Sequence, residues 1–330
     1  MRSVRGFTLL ELMISLFVGG LILGGVMLTY LSMKTTTRDT LTIGELQESG
    51  RLVLSILQRD IEQIGFWGTF YDAGFTETNL SSPANPGNDC TDGFNNGSFP
   101  NADPANFRAI YGSTITSGRA LGCITNAKAN TEVLQLKFLE GFQVLAQATA
   151  NTNRYYFVAE QEKGQFVPGN TARTMALNVN ATLWPYSHHV YYIKEINYVL
   201  NDQNVSVPVL YRRRLTVSGG MIDEPVMEGV EDIRLLFGLD TTADGRVNLY
   251  RPLSSMQATD WENEDAILTV QLFILVRALE PDAGLSLTNQ TYSLGHDPQK
   301  RTLTFKDSYR RTVFSTTIRL NNMGANQWRL

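Results

Sequence analysis

The feature that most constrains this chain is an apolar run of 27 residues, Phe7 to Met33, broken by one charge, Glu11. The six residues before it, MRSVRG, carry Arg2 and Arg5 and no acid. The 22 residues from Leu12 to Met33 suffice for a spanning helix, which needs about 20. The two arginines place the short end in the cytoplasm and the remainder outside. A cleaved secretory signal fits poorly, because the run is too long and no alanine precedes Ala73, so an A-x-A site is missing.

A carboxylate at membrane depth is costly unless paired, which makes Glu11 a functional suspect. One arrangement accounts for it. If the chain is cut after Gly6, Phe7 acquires a free cationic amine, with Glu11 four residues along, about one helical turn away. That amine, or the amine of a neighbouring subunit, neutralises the acid inside the bilayer, and an unpaired carboxylate favours assembly wherever such an amine is on offer.

Residues 5–14, RGFTLLELMI, resemble the class III signal of type IV pilins and type II secretion pseudopilins. The resemblance implies that a prepilin peptidase cuts after Gly6 and methylates Phe7. It also implies that Glu11 pairs with a neighbour's amine in the filament. Thr8 and Leu9 fit the usual context.

Beyond Lys34 the sequence turns polar and then resumes a helical rhythm at Leu46, Val53, Leu57, Ile61 and Ile64, with Gly65 as a stop signal. The pattern predicts one helix from Phe7 to Ile64. Its first half suits lipid or other helices, and its second half carries an apolar stripe for a domain packed along one side. Gly20-x-x-x-Gly24 permits close helix approach. The expected organisation is a leader over 1–6, a membrane or filament-core segment over 7–33, an amphipathic half-helix over 34–65, and an external β-rich domain over 66–330.

Within that domain, residues 68–130 are dense in Gly, Asn, Ser, Pro and Asp and read as long surface loops. They contain both cysteines, Cys90 and Cys123. Outside the membrane these are expected to form a disulfide, whereas a metal site or reactive thiol lacks nearby His or a CxxC spacing. From Thr131 onward, β-branched or alternating runs recur at 133–139, 154–160, 189–200, 209–217, 267–278 and 311–320, which predicts antiparallel sheet. ILTVQLFILV is apolar on both faces and reads as a central strand, while the periodicity of 224–240 fits helix and strand equally. The fold class is therefore α+β, a pilin-like long helix on an antiparallel sheet domain with long loops.

Segments 48–66, 227–250, 275–277 and 309–322 also resemble, in order, the PilW family of minor pilins. Membership in that family implies a non-enzymatic assembly protein that primes a pilus near its tip and serves twitching motility, adhesion or DNA uptake. Its implied partners are the prepilin peptidase, other minor pilins, the major pilin and a tip adhesin. Its implied location is the inner membrane of a Gram-negative cell, single-pass with a cytoplasmic N-terminus, and then the surface filament.

Chemistry is sparse elsewhere. A net charge of −4 argues against a nucleic-acid binder, and 3 His with 2 Cys argue against structural zinc. The chain has no G-x-S-x-G, H-E-x-x-H, Walker A or G-x-G-x-x-G motif, and no cofactor is expected. His188 and His189 should point to opposite faces of a strand, one packed and one exposed. Asp240, Asp244 and Asn248 partly imitate a calcium loop, but Arg251 stands where a bidentate Glu belongs, so a plain Asp-Gly turn is the better reading. Arg212–Arg214 and Arg310–Arg311 suit a solvated or salt-bridged strand face. Two other functions share parts of this pattern: a minor pseudopilin of type II secretion, and a membrane-anchored periplasmic enzyme or binding module.

Overall fold

The computed structural model describes residues 6, 8–71, 74–93, 97–100, 107–200, 203–282 and 289–323. The chain divides into two compact units that meet between Glu48 and Ser49. One continuous helix, α1 (Leu9–Glu62), contributes to both.

From Leu9 to Met33 α1 is apolar apart from Glu11 and largely exposed, with Leu9, Leu16, Leu23 and Leu28 each more than two-thirds exposed. It is long and apolar enough to cross a membrane. In the second unit the stripe faces inward: Val53, Leu57, Ile61 and Ile64 are all fully buried. Each such side chain stabilises the packing by about 1.5–3 kcal/mol. Gly65, at φ +83°, ends the helix in the left-handed conformation that glycine adopts without strain.

The elements that follow are, in order, β1 (Leu80–Ser81), β2 (Ile110–Thr114), β3 (Glu132–Leu139), β4 (Tyr155–Ala159), β5 (Gly164–Pro168), α2 (Gly169–Thr174), β6 (Thr182–Leu200), β7 (Gln203–Thr216), β8 (Gly220–Glu228) and β9 (Val230–Leu239). After them come β10 (Leu249–Pro252), α3 (Ala258–Glu262), β11 (Ile267–Arg277), β12 (Gln290–Leu294), β13 (Arg301–Phe305) and β14 (Arg311–Arg319). The ambiguous segment 224–240 is thus strand and not helix, the end of β8 and the whole of β9 joined at Gly229. The expected loop region 68–130 contains a genuine five-residue strand, β2, which pairs with β3.

The strands form three sheets. The first runs β1-β5-β4-β6-β3-β2, with β7 joined to β6 and β8 to β7. All its pairings are antiparallel except β1 with β5. The second is β10-β9-β11-β14 and the third is the hairpin β12-β13. β11 is central, as its two apolar faces require. Phe273 and Leu275 pack with Leu236 and Leu294 under the β12-β13 hairpin. Ile274 pairs with Phe314 and so shares its face, the side on which Phe314 lies against Gly50 of α1.

The loops between α1 and β3 cover the first sheet with aromatic rings. Trp67 meets Phe75 at 4.8 Å, Phe157 at 5.7 Å and Phe107 at 5.8 Å. Segments with polar turn composition therefore carry the ring contacts that close this part of the core.

Candidate functional site

The N-terminus of α1 is built by local chemistry. Thr8 precedes the first helical residue, and its carbonyl accepts the amide of Leu12. The Glu11 amide donates to Thr8 Oγ1 at 3.3 Å, while Glu11 Oε2 accepts from the Thr8 amide at 2.9 Å and from Thr8 Oγ1 at 3.0 Å. This is a reciprocal capping box, legible in the sequence as T-L-L-E. It satisfies donors that a helix start otherwise leaves free, and it gives the carboxylate polar partners on its own helix. Ser15 Oγ donates to the Glu11 carbonyl at 2.7 Å one turn later. Gly6 is exposed beside the cap, and Phe7 lies outside the described residues. The arrangement holds one exposed acid at the start of the apolar stretch of α1.

The other candidate residues fall elsewhere. Cys90 and Cys123 form a disulfide, with Cα atoms 4.8 Å apart. Asp240 accepts the amides of Thr242 at 3.0 Å, Asp244 at 3.3 Å and Gly245 at 2.6 Å. Asn248 Oδ1 accepts the amide of Thr241 at 2.9 Å. These oxygens close a turn through backbone donors. Burial opposes ionisation of Asp240, but those amides outweigh it and hold the carboxyl below its usual range. Among the described residues no group of three His, Cys, Asp or Glu side chains converges on a metal position.

The two histidines require a correction: both are buried, and neither is the exposed member of the pair. His189 faces α1, where Asp60 Oδ2 meets its Nδ1 at 2.6 Å and also accepts from the Tyr191 hydroxyl at 2.6 Å. Asp60 precedes Ile61 of the apolar stripe, and only the helix-to-sheet packing shows that it is a buried latch. His188 faces the loops, with Nδ1 at 2.9 Å from Ser98 Oγ. Ser98 in turn donates to Asp89 Oδ1 at 2.7 Å. That order points the serine hydroxyl hydrogen at the acid and not at the histidine, and Ser98 is fully buried, so this is a structural chain and not an activated nucleophile.

The arginine clusters are paired. Arg212 and Arg214 contact Glu224 at 2.9 and 2.6 Å, and Arg213 contacts Asp223 at 2.6 Å. Arg310 binds Asp282, and Arg311 is buried between Glu231 and Asp307.

Comparison with known proteins yields two family matches. Residues 190–322 match the family described as Type IV Pilus-assembly protein W, and residues 1–27 match the Prokaryotic N-terminal methylation motif. The first covers β6 from Val190 through β14, and the second covers the capped start of α1. No curated protein and no solved structure matches significantly.

Proposed function

We propose that this chain, a PilW-family type IV pilin with a class III signal, is a minor pilin that helps to initiate pilus assembly. The observation that carries the reading is Glu11, the single acid of the apolar run from Phe7 to Met33, capped by Thr8 two residues after Gly6. In this reading residues 1–6 are removed by the prepilin peptidase and Phe7 becomes a methylated N-terminus. Residues 7–33 sit first in the inner membrane and then in the filament core. Residues 34–65 continue the spine, and 66–330 lie outside the membrane.

Assembly then follows from electrostatics. A carboxylate in hydrocarbon favours any arrangement that supplies a cation, and the Phe7 amine of an adjacent pilin is such a cation. The cap from Thr8 gives Glu11 partial satisfaction while the subunit waits in the bilayer. The partners are the peptidase, the major pilin and other minor pilins, beneath a tip adhesin. No catalysis is assigned, since both matched families concern pilus assembly and processing. A type II pseudopilin would share the N-terminal chemistry; the match over 190–322 is what favours the pilus.

Intact-mass analysis and N-terminal sequencing of the protein from sheared surface filaments provide the test. The expected product begins at methylated Phe7. A full-length chain, or one absent from filaments, overturns the reading. Glu11→Ala should reduce filament incorporation by about tenfold or more while leaving the membrane pool intact.

A further inference from the structure

Along one side of β6 a line of backbone hydrogen bonds runs and then stops. The carbonyls of Leu183 and Pro185 accept from the amides of Val144 and Glu140, residues 186–191 pair with β3, and Ile193 accepts from the amide of Lys128. Past Ile193 the strand continues to Leu200, paired with β7 alone. Groups of alternate residues point to opposite sides of a strand. Glu195, Asn197 and Val199 therefore present their N–H and C=O groups on the side that Ile193 uses, and Lys194, Ile196 and Tyr198 bond to β7. Among the described residues no strand pairs with that open side.

The other edge of the same hairpin is blocked. Pro208 has no N–H, and its carbonyl accepts from Gly229 at 2.7 Å. The Ser206 carbonyl accepts from Arg277 Nη2 at 2.7 Å. Natural sheets blunt their edges against stray pairing, and here one edge is blunted and its neighbour is left open. The open edge also has an apolar face: Ile196 opposes Val207, and Tyr198, 40% exposed, opposes Val205.

We infer that the Glu195–Val199 edge of β6 is a strand-addition site that accepts an extended segment of a neighbouring pilin subunit, laid beside β6 in line with β3. An extended chain has the repeat that meets donors and acceptors at every second residue, and its alternate side chains fall on Ile196 and Tyr198. The occupant is another subunit because the arm lies inside the region shared with the pilus-assembly family, which begins at Val190. The inference rests on the reading of this chain as a filament subunit.

The test compares the full mature chain in detergent micelles with the same chain in sheared filaments, by residue-resolved amide exchange. The amides of Glu195, Asn197 and Val199 should exchange fast in micelles and slow by about a hundredfold in filaments. Those of Ile196 and Tyr198 should be slow in both. Fast exchange at 195, 197 and 199 in filaments overturns the inference and leaves the pilin reading intact. Slow exchange in micelles also overturns it, because the chain then covers its own edge. A chain that never enters filaments overturns both. As a second measurement, Asn197→Pro removes one outward N–H without touching the β7 ladder, so the domain should melt as wild type while incorporation falls about tenfold. Asn197→Ala, which keeps the N–H, should incorporate normally; equal incorporation of a folded Asn197→Pro chain rejects the site.

Discussion

His188 and His189 are neighbours in sequence, yet the pleat of β6 gives them separate roles. His189 meets Asp60, which also accepts from the Tyr191 hydroxyl, and the three tie α1 to the first sheet. His188 joins Ser98 to Gln135, whose amide lies 2.7 Å from Nε2. Ser98 donates its hydroxyl hydrogen bond to Asp89, so Nδ1–H donates to Ser98 and Nε2 accepts from Gln135, which is the neutral imidazole satisfied at both ends. Burial pushes His188 well below its ordinary range, and the charges of Lys137 and His189 add to the effect. An unfolded chain takes up this proton below about pH 6.5 and the folded chain does not. The stabilisation is therefore complete above that pH and declines as pH falls, by up to about 1.4 kcal/mol per unit. In denaturant titrations from pH 7 to pH 5, His188→Gln should show a shallower loss than wild type. Parallel curves would mean that His188 is protonated in the fold.

Elements are joined where a particular backbone geometry is required. Gly229 links β8 to β9 at φ +83°, donates to Pro208 and accepts from the amide of Arg277. A Cβ there would lie 2.5 Å from the Arg277 carbonyl oxygen, against backbone that cannot swing aside. Gly229→Ala should thus cost about 2–3 kcal/mol, read as a lowered urea midpoint with an unchanged m-value. The disulfide acts on a longer stretch. Cys90 and Cys123 are 33 residues apart and bracket β2. Replacing both by Ala should destabilise the domain by about 3–4 kcal/mol, and reductant should reproduce the loss in the wild type and have no effect on the variant. Composition marked 68–130 as surface loops, yet the region holds β1 and β2 and buries Phe70, Phe99 and Phe107, whose positions gave no periodic signal. Their role emerged only from the sheet face they cover.

The three sheets of the second unit are bound together by buried charge. Glu132 of β3 accepts from Arg234 of β9 at 2.9 Å and from the amide of Leu235 at 2.6 Å, with Arg301 of β13 at 3.5 Å. Arg301 also meets Asp232 at 2.6 Å. Burial raises the Glu132 carboxyl, opposed by Arg301 and Arg234. Asp232 is pushed up to about 7, again chiefly by burial, with Glu132 adding to it and Arg301 opposing. Glu132→Ala leaves Arg234 buried without its carboxylate and should cost about 3–5 kcal/mol. Pairing it with Arg234→Met should restore a substantial part, and a fully additive double variant in equilibrium unfolding would show that the two charges do not act as a unit. None of these four residues stood out in the sequence, because they are spread over three strands far apart in the chain.

What the sequence by itself determined is local or periodic: the apolar helix, the acid at its start, the T-x-x-E cap, the inward stripe and the central strand β11. Such features are set by spacing along one element, so no distant partner is needed to read them. Only the tertiary structure decided that His189 is covered by α1, that residues 224–240 form strands, and that Glu132, Asp232, Arg234 and Arg301 share one network. Each of those depends on which elements meet. The open edge of β6 is of the same kind: whether a strand has a neighbour is a property of the assembled sheet, and no single segment carries it.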